Sequence, residues 1–253
     1  MIFIKNEKDI EKIRKAAAIW EQVKQALISA TKSGISTKEL DELANKVIVE
    51  NGGIPTFFEY GGFPGYVCIS VNDEILHGIG NERKLLPGDL VTYDIGVTYQ
   101  NRICDSAFSM IVPGKENKEA EDILKATQAC LEETVKAVKP GVTTGDLGFI
   151  TEQTAKKYGY VVIKDFSGHG CGIKLHEEPM VFNYGKRGTG EVLKPGMVIC
   201  IEPMLLTGSD QYTIDKANDW VVRSKNKKLT CHCEYIVLVT ETGHEILNTN
   251  VRI

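Results

Sequence analysis

Several things missing from this sequence narrow what it can be. No apolar run approaches the length needed to cross a bilayer. The opening residues, Met1-Ile2-Phe3-Ile4-Lys5-Asn6-Glu7, have neither the basic lead nor the long apolar stretch of a secretory signal. Positive charge is not in surplus: 30 Lys and Arg stand against 34 Asp and Glu, a formal net charge of -4, which argues against a dedicated nucleic-acid binder. Cysteine pairing is missing too. The 7 cysteines (Cys68, Cys104, Cys130, Cys171, Cys200, Cys231, Cys233) are odd in number and contain no Cys-x-x-Cys, so they read as reduced thiols of a cytoplasmic protein. Linkers and low-complexity segments are also lacking, and Gly52-Gly53, Gly61-Gly62 and Pro140-Gly141 are single turns between patterned segments. What remains is an ordinary globular composition, 42% hydrophobic and 25% charged over 253 residues. A chain of that size buries a large core unaided, so any metal site in it serves something other than stability.

An internal repeat organises the chain. Lys32-Ser33-Gly34-Ile35-Ser36-Thr37-Lys38-Glu39-Leu40 resembles Lys139-Pro140-Gly141-Val142-Thr143-Thr144-Gly145-Asp146-Leu147, and the same interval separates Gly52 from Gly159. Ser36 with Glu39 forms the pattern of a capping box, and Thr143 with Asp146 a looser version, each opening a helix that runs into the glycine. Pro87-Gly88 leads into an apolar strand carrying Asp94, and Pro195-Gly196 into one carrying Glu202, with the carboxylate equally far from the proline. Each half, about residues 7–110 and 115–240, therefore reads as helix, helix, strands, and the whole chain as one catalytic domain over 1–253. Halves packed face to face would bring Asp94 and Glu202 together. The basic cluster Arg223-Ser224-Lys225-Asn226-Lys227-Lys228 reads as a solvated hairpin loop.

A carboxylate in the middle of Leu90-Val91-Thr92-Tyr93-Asp94-Ile95-Gly96-Val97 is unexpected, because burying an ionised group is costly unless it is paired or binds a metal. A turn around Thr98 to Asn101, centred at Tyr99/Gln100, would set Asp94 directly opposite Asp105. Two carboxylates that close require a shared proton or a cation. Taken singly, each aspartate reads equally well as an exposed strand residue. The second half adds His169 between glycines, Glu202 and Glu234. Four carboxylates and one imidazole suit Mn, Fe(II) or Co better than a thiolate-type zinc, and bridging carboxylates are the usual frame of two-metal hydrolysis.

The stretches Tyr60-Gly61-Gly62-Phe63-Pro64, Cys68-Ile69-Ser70-Val71-Asn72-Asp73-Glu74, His77-Gly78-Ile79-Gly80 and His176-Glu177-Glu178-Pro179 resemble type I methionine aminopeptidases. So do Asp94, Asp105, His169, Glu202 and Glu234, in that order and at similar spacing, over nearly the whole chain. The resemblance implies an α/β (α+β) pita-bread fold, two pseudo-symmetric halves of helices on a mostly antiparallel sheet around a dinuclear site. It implies metal ligation by those five residues, proton transfer by Glu202, and catalytic, substrate-contacting roles for His77 and His176. Tyr60, Phe63, Cys68, Leu175 and Trp220 become the methionine pocket, although each alone would read as core. The implied activity is removal of the N-terminal methionine from nascent polypeptides whose second residue is small, by a cytoplasmic monomer that meets the ribosome through surface lysines.

The sequence also departs from that family. Leu175 replaces a usual Phe, Gly80 a usual Pro, and His232 a usual Gln beside the divergent Cys231 and Cys233. On a strand, His232 and Glu234 share a face, which places His232 beside the metals either as a tuning partner or as a spacer. Three other readings compete, one of them a metal-binding structural protein without turnover, against which His77 and His176 speak because neither is needed to hold metal. A proline-directed relative, such as aminopeptidase P or prolidase, usually carries an extra N-terminal domain, and a metal-free binding module would be free to lose ligands, whereas all five are here.

Overall fold

A computed structural model of the chain describes residues 1–248. Residues 249–253, which the expected single domain includes, lie outside the described residues.

Four long helices form where their caps dictate. Helix α1 (Glu7–Ala30) starts at Asn6, whose side chain accepts from the Asp9 N–H while Asp9 accepts from the Asn6 N–H. Helix α2 (Thr37–Glu50) has the same reciprocal box between Ser36 and Glu39. Helix α3 (Lys118–Lys136) is capped by Asn117. Helix α4 (Thr144–Lys157) is capped by Thr143 and Asp146, and here the looser box anticipated from sequence is complete. The chain leaves α2 and α4 through Gly52 and Gly159, whose φ of 78° and 82° lie in the left-handed region that glycine enters without strain.

Two large apolar clusters carry the long helices. Ile13, Ala16, Trp20, Val23 and Leu27 of α1, with Leu40, Ala44 and Ile48 of α2, pack on Val91, Tyr93, Ile95 and Val97. Ile123, Ala126, Cys130 and Leu131 of α3, with Leu147 of α4, form the second core. The strands Val198–Ile201 and Tyr235–Val239 serve both. Val198, Cys200, Ile236 and Leu238 face the first core, while Ile199, Ile201, Val237 and Val239 face the second. This period-two alternation explains why these strands are apolar at nearly every position.

Strand pairing within the sheets is antiparallel. The strand Leu90–Tyr99 pairs along its length with Arg102–Ile111 on one edge, and on the other edge with Cys68–Val71 and then Ile54–Pro55. A five-stranded sheet runs in the order His244–Ile246, Tyr235–Val239, Val198–Ile201, Ser167–Gly170, Glu177–Phe182. Two expectations need correction. The hairpin turns one residue later than anticipated, at Gln100 and Asn101, both with positive φ (44° and 61°), as a two-residue turn requires. Asp94 therefore opposes Ala107, and Asp105 opposes Gly96. A shift of two partners preserves the face, so the aspartates are diagonal neighbours rather than directly opposed. The basic cluster is not a hairpin loop. It joins Val222–Ser224, paired with Glu74–Leu76 and Tyr212–Ile214, to Thr230–His232, paired with Met204–Leu206 in another sheet. Arg223 sits 2.8 Å from Glu74.

All seven cysteines are free and buried. Among the described residues no helix is long and apolar enough to cross a membrane.

Candidate active site

A cavity of about 340 Å³ collects all twelve residues singled out from sequence: Asp94, Asp105, His169, Glu202 and Glu234 with His77, His176, Tyr60, Phe63, Cys68, Leu175 and Trp220. Residues from the first and the second half of the sequence contribute to its floor. Asp94 and Asp105 come from the two strands of the hairpin. His169 lies in Ser167–Gly170, Glu202 directly follows Val198–Ile201, and Glu234 directly precedes Tyr235–Val239. Hydrogen bonds from the hairpin strand hold the last of these in place. Ser106 Oγ donates to the Glu234 carbonyl, and the Glu234 N–H donates to the Ala107 carbonyl at 2.9 Å.

The chemistry of the floor is set by unpaired charge. Asp105 and Glu234 are buried, while Asp94 and Glu202 open partly onto the cavity. Among the described residues no Lys or Arg nitrogen makes a salt bridge to any of the four, and Asp94 Oδ1, Asp105 Oδ1 and Glu234 Oε1 have no hydrogen-bond partner. Loss of solvation raises Asp94 to about 7, partly offset by a hydrogen bond with Asp105. Desolvation, then repulsion from neighbouring carboxylates, pushes Asp105, Glu202 and Glu234 well above the ordinary carboxylate range. Groups this costly to leave bare fit divalent cations bound by oxygen and imidazole donors. The donor atoms are also close, since those of Asp105, His169, Glu234 and Cys200 all lie within 4.8 Å of one another. Cys200 was not anticipated as a neighbour. Burial holds its thiol protonated, and the S–H points at the Asp105 carbonyl, 3.7 Å away.

His169 is prepared as a donor. Its Nδ1 lies 3.0 Å from the Gly170 carbonyl, which can only accept, so the proton is on Nδ1 and the Nε2 lone pair faces inward. Nε2 stands 3.5 Å from Glu202 Oε1 and 3.7 Å from Asp105 Oδ2. The flanking glycines are required by close packing: a Cβ at Gly168 would lie 2.2 Å from the Cys200 carbonyl oxygen, and one at Gly170 2.3 Å from that of Glu178.

Above the floor are two further histidines. His77 has a left-handed backbone (φ 58°), uncommon for a side chain of its size, and packs edge-on against Phe166 and Trp220. Desolvation lowers it to about 4, so it is neutral at physiological pH. His176 stands at the rim with Nδ1 3.2 Å from the Tyr60 hydroxyl, and desolvation lowers its pKa as well. Its loop is fastened by the next residue. Glu177 accepts from the Ile173 and Lys174 N–H groups at 2.6 and 2.8 Å and from Lys5 Nζ at 2.6 Å. The apolar wall is Phe63, Cys68 and Leu175 with Phe57, backed by Trp220, whose ring meets Phe63 edge-on at 5.2 Å. Sequence reasoning missed Phe57, Phe166 and Met180 in the lining, because apolar side chains pointing into a cavity and into a core look alike in sequence.

Residues 11–241 match metallopeptidase family M24. The chain belongs to that family. Among M24 relatives, it is 43% identical to a methionine aminopeptidase of Mycoplasmoides gallisepticum over 98% of this chain and 99% of the relative. The crystal structure of methionine aminopeptidase from Rickettsia prowazekii superposes with a TM-score of 0.96 at 31% identity, covering 98% of this chain and 100% of that one. Prolidase from Pyrococcus furiosus superposes at 0.81 and 28% identity, but this chain covers only 66% of it. The expected pita-bread fold is therefore the fold of this M24 chain.

Proposed function

We propose that this metallopeptidase is a methionine aminopeptidase, releasing the N-terminal methionine of polypeptides whose second residue is small, from a pair of divalent ions. The observation that carries the reading is the convergence of four carboxylates, without Lys or Arg partners among the described residues, and one preset imidazole at the end of an aromatic cavity. Full-length similarity to methionine aminopeptidases supports it.

Asp94, Asp105 and Glu234 would hold one ion, and Asp105, His169, Glu202 and Glu234 the other. Bound there, the ions supply Lewis acidity, making water nucleophilic at neutral pH and polarising the scissile carbonyl. Glu202 accepts the proton of the attacking water. With the Tyr60 O–H donating to Nδ1, His176 keeps its proton on Nε2 and donates it as a hydrogen bond to the carbonyl oxygen as negative charge develops there. His77, neutral and fixed by its neighbours, meets the scissile amide nitrogen. Phe63, Cys68, Leu175, Trp220 and, at the mouth, Tyr60 receive the methionine side chain, whose sulfur favours aromatic edges.

Mn, Fe(II) or Co suits these oxygen and imidazole donors better than Zn. A single catalytic domain over residues 1–253, a monomeric state, a cytoplasmic location and work on nascent chains at the ribosome belong to the same reading and rest on the family resemblance. Metal-stripped protein resupplied with Mn(II), Fe(II) or Co(II) should release methionine from Met-Ala-Ser and spare Leu-Ala-Ser. Turnover of Ala-Pro-Ala instead would assign the chain to the proline-directed branch, and no turnover with any metal would overturn the enzymatic reading.

A further inference from the structure

One imidazole in the cavity has no part in that reaction. His232 ends the strand Thr230–His232, opposite Met204, and is 2% exposed. Its backbone carbonyl is fixed by Ser109 Oγ at 2.7 Å, so the residue is tied to the same hairpin that carries Asp94 and Asp105. Neither ring nitrogen has a hydrogen-bond partner among the described residues. Buried polar groups are nearly always satisfied, and an imidazole with both nitrogens unmet inside a cavity points to something that completes it.

The neighbouring distances say what kind of partner. Nε2 lies 3.6 Å from Glu202 Oε2 and 4.0 Å from Glu234 Oε2. Both exceed the roughly 2.7–3.2 Å of an N–H···O hydrogen bond. They are close to the spacing of two donors sharing one cation, which at bond lengths of about 2.1 Å and angles of 90–120° is roughly 3.0–3.6 Å. His169 shows the same spacing, 3.5 Å from the other oxygen of Glu202. The Glu202 carboxylate thus stands between two imidazoles, one at each oxygen.

We propose that His232 is a sixth side-chain donor of the metal centre, its Nε2 binding an ion on the Oε2 side of Glu202. The proposal rests on the metal-centre reading above. It gives the site two neutral nitrogens, and imidazole favours Fe, Co and Ni over Mn, which prefers oxygen. Metal preference in this chain is therefore shifted toward the nitrogen-seeking ions by a residue outside the five-ligand set.

Calorimetric titration of metal-stripped wild-type, His232→Gln and Asp105→Asn proteins with Co(II) and Mn(II) tests this, alongside the paramagnetically shifted proton spectrum of the Co(II)-loaded wild type. The expected result is ring-proton resonances from two coordinated imidazoles in the wild type. His232→Gln should weaken Co(II) binding by roughly 10–100-fold, with a clearly smaller loss for Mn(II). Resonances from one imidazole only, or Co(II) affinity within about twofold of wild type in His232→Gln while Asp105→Asn abolishes binding, would overturn the role of His232 and leave the metal centre intact. A wild type that binds neither ion would overturn both. The wild-type spectrum decides the question even if His232→Gln fails to fold.

Discussion

Replacing Lys5 with Met tests whether the N-terminal segment holds the active-site rim. Lys5 Nζ reaches Glu177 at 2.6 Å with both side chains essentially inaccessible, at 1% and 0% exposure. The methionine matches the aliphatic stem, so the packing is kept and the charge is lost. Removing one partner of a buried ion pair typically costs about 3–5 kcal/mol, because the other charge is stranded. Glu177 keeps the Ile173 and Lys174 N–H donors, so the lower end, about 3 kcal/mol, is expected here. At roughly 2–4 °C per kcal/mol for a chain of this size, the thermal midpoint should fall by about 6–12 °C. The double variant Lys5→Met/Glu177→Gln removes the stranded charge and should recover about half of that loss. His176 adjoins Glu177, so kcat should drop by roughly 10-fold or more with KM little altered, since small misplacements of a catalytic group are expensive. Scanning calorimetry at fixed metal load and steady-state kinetics on Met-Ala-Ser provide the two readouts. A midpoint within 2 °C of wild type would refute the reasoning, as would a double variant no more stable than Lys5→Met (roughly the resolution of the cycle).

Other perturbations have equally definite outcomes. The metal-free carboxylates have folded-state pKa values above their unfolded ones, with Asp94 raised to about 7. Their stability contribution is therefore complete below about 4 and is lost as pH rises through the folded values, so stripped protein should melt lower at pH 8 than at pH 5. Asp94 alone contributes roughly 1–2.5 kcal/mol to that difference, since only the part of its shift between pH 5 and 7 counts and its partial opening onto the cavity reduces it. Mn(II) should abolish most of the gap, and equal melting at the two pH values without metal would contradict the charge assignment. Gly96→Ala places a Cβ 2.5 Å from Phe57 Cε1 and should cost about 1–3 kcal/mol by chemical denaturation while disturbing the methionine pocket; unchanged stability would show that Phe57 yields freely. Tyr60→Phe removes the hydroxyl that hydrogen-bonds His176 Nδ1 and should lower kcat about 10-fold with KM nearly unchanged. A normal kcat would mean that His176 needs no such partner.

Much of the frame can be read locally. The capping residues Ser36 and Thr143 and the Pro-Gly turns at Gly88 and Gly196 act within a few residues, so their signals survive in sequence. Asp94 and Glu202 stood out because charge in an apolar strand needs a partner. The hairpin register was misplaced because Gln100 and Asn101 adopt positive φ without a glycine to mark them, and the error was harmless to the site because it came in a step of two. The basic segment was misjudged because Val222–Ser224 pairs with Glu74–Leu76, a partner no local pattern announces. The Lys5–Glu177 pair was invisible for the same reason. The pocket residues Phe63 and Leu175 carry no local mark separating cavity wall from core, so only family resemblance distinguished them.

The strands Val198–Ile201 and Tyr235–Val239 present alternate residues to the two cores. The chain runs straight from one into Glu202, and from Glu234 into the other. They are a party wall, and ligands are mounted at its edge. Repacking on either side of such a wall changes its tilt, so a methyl group deleted deep beneath α1 or α3 alters the spacing of carboxylates it never touches. Metal affinity should therefore respond to packing on either side of these strands, and a screen that reads only bound metal should register core damage at the residues that face them.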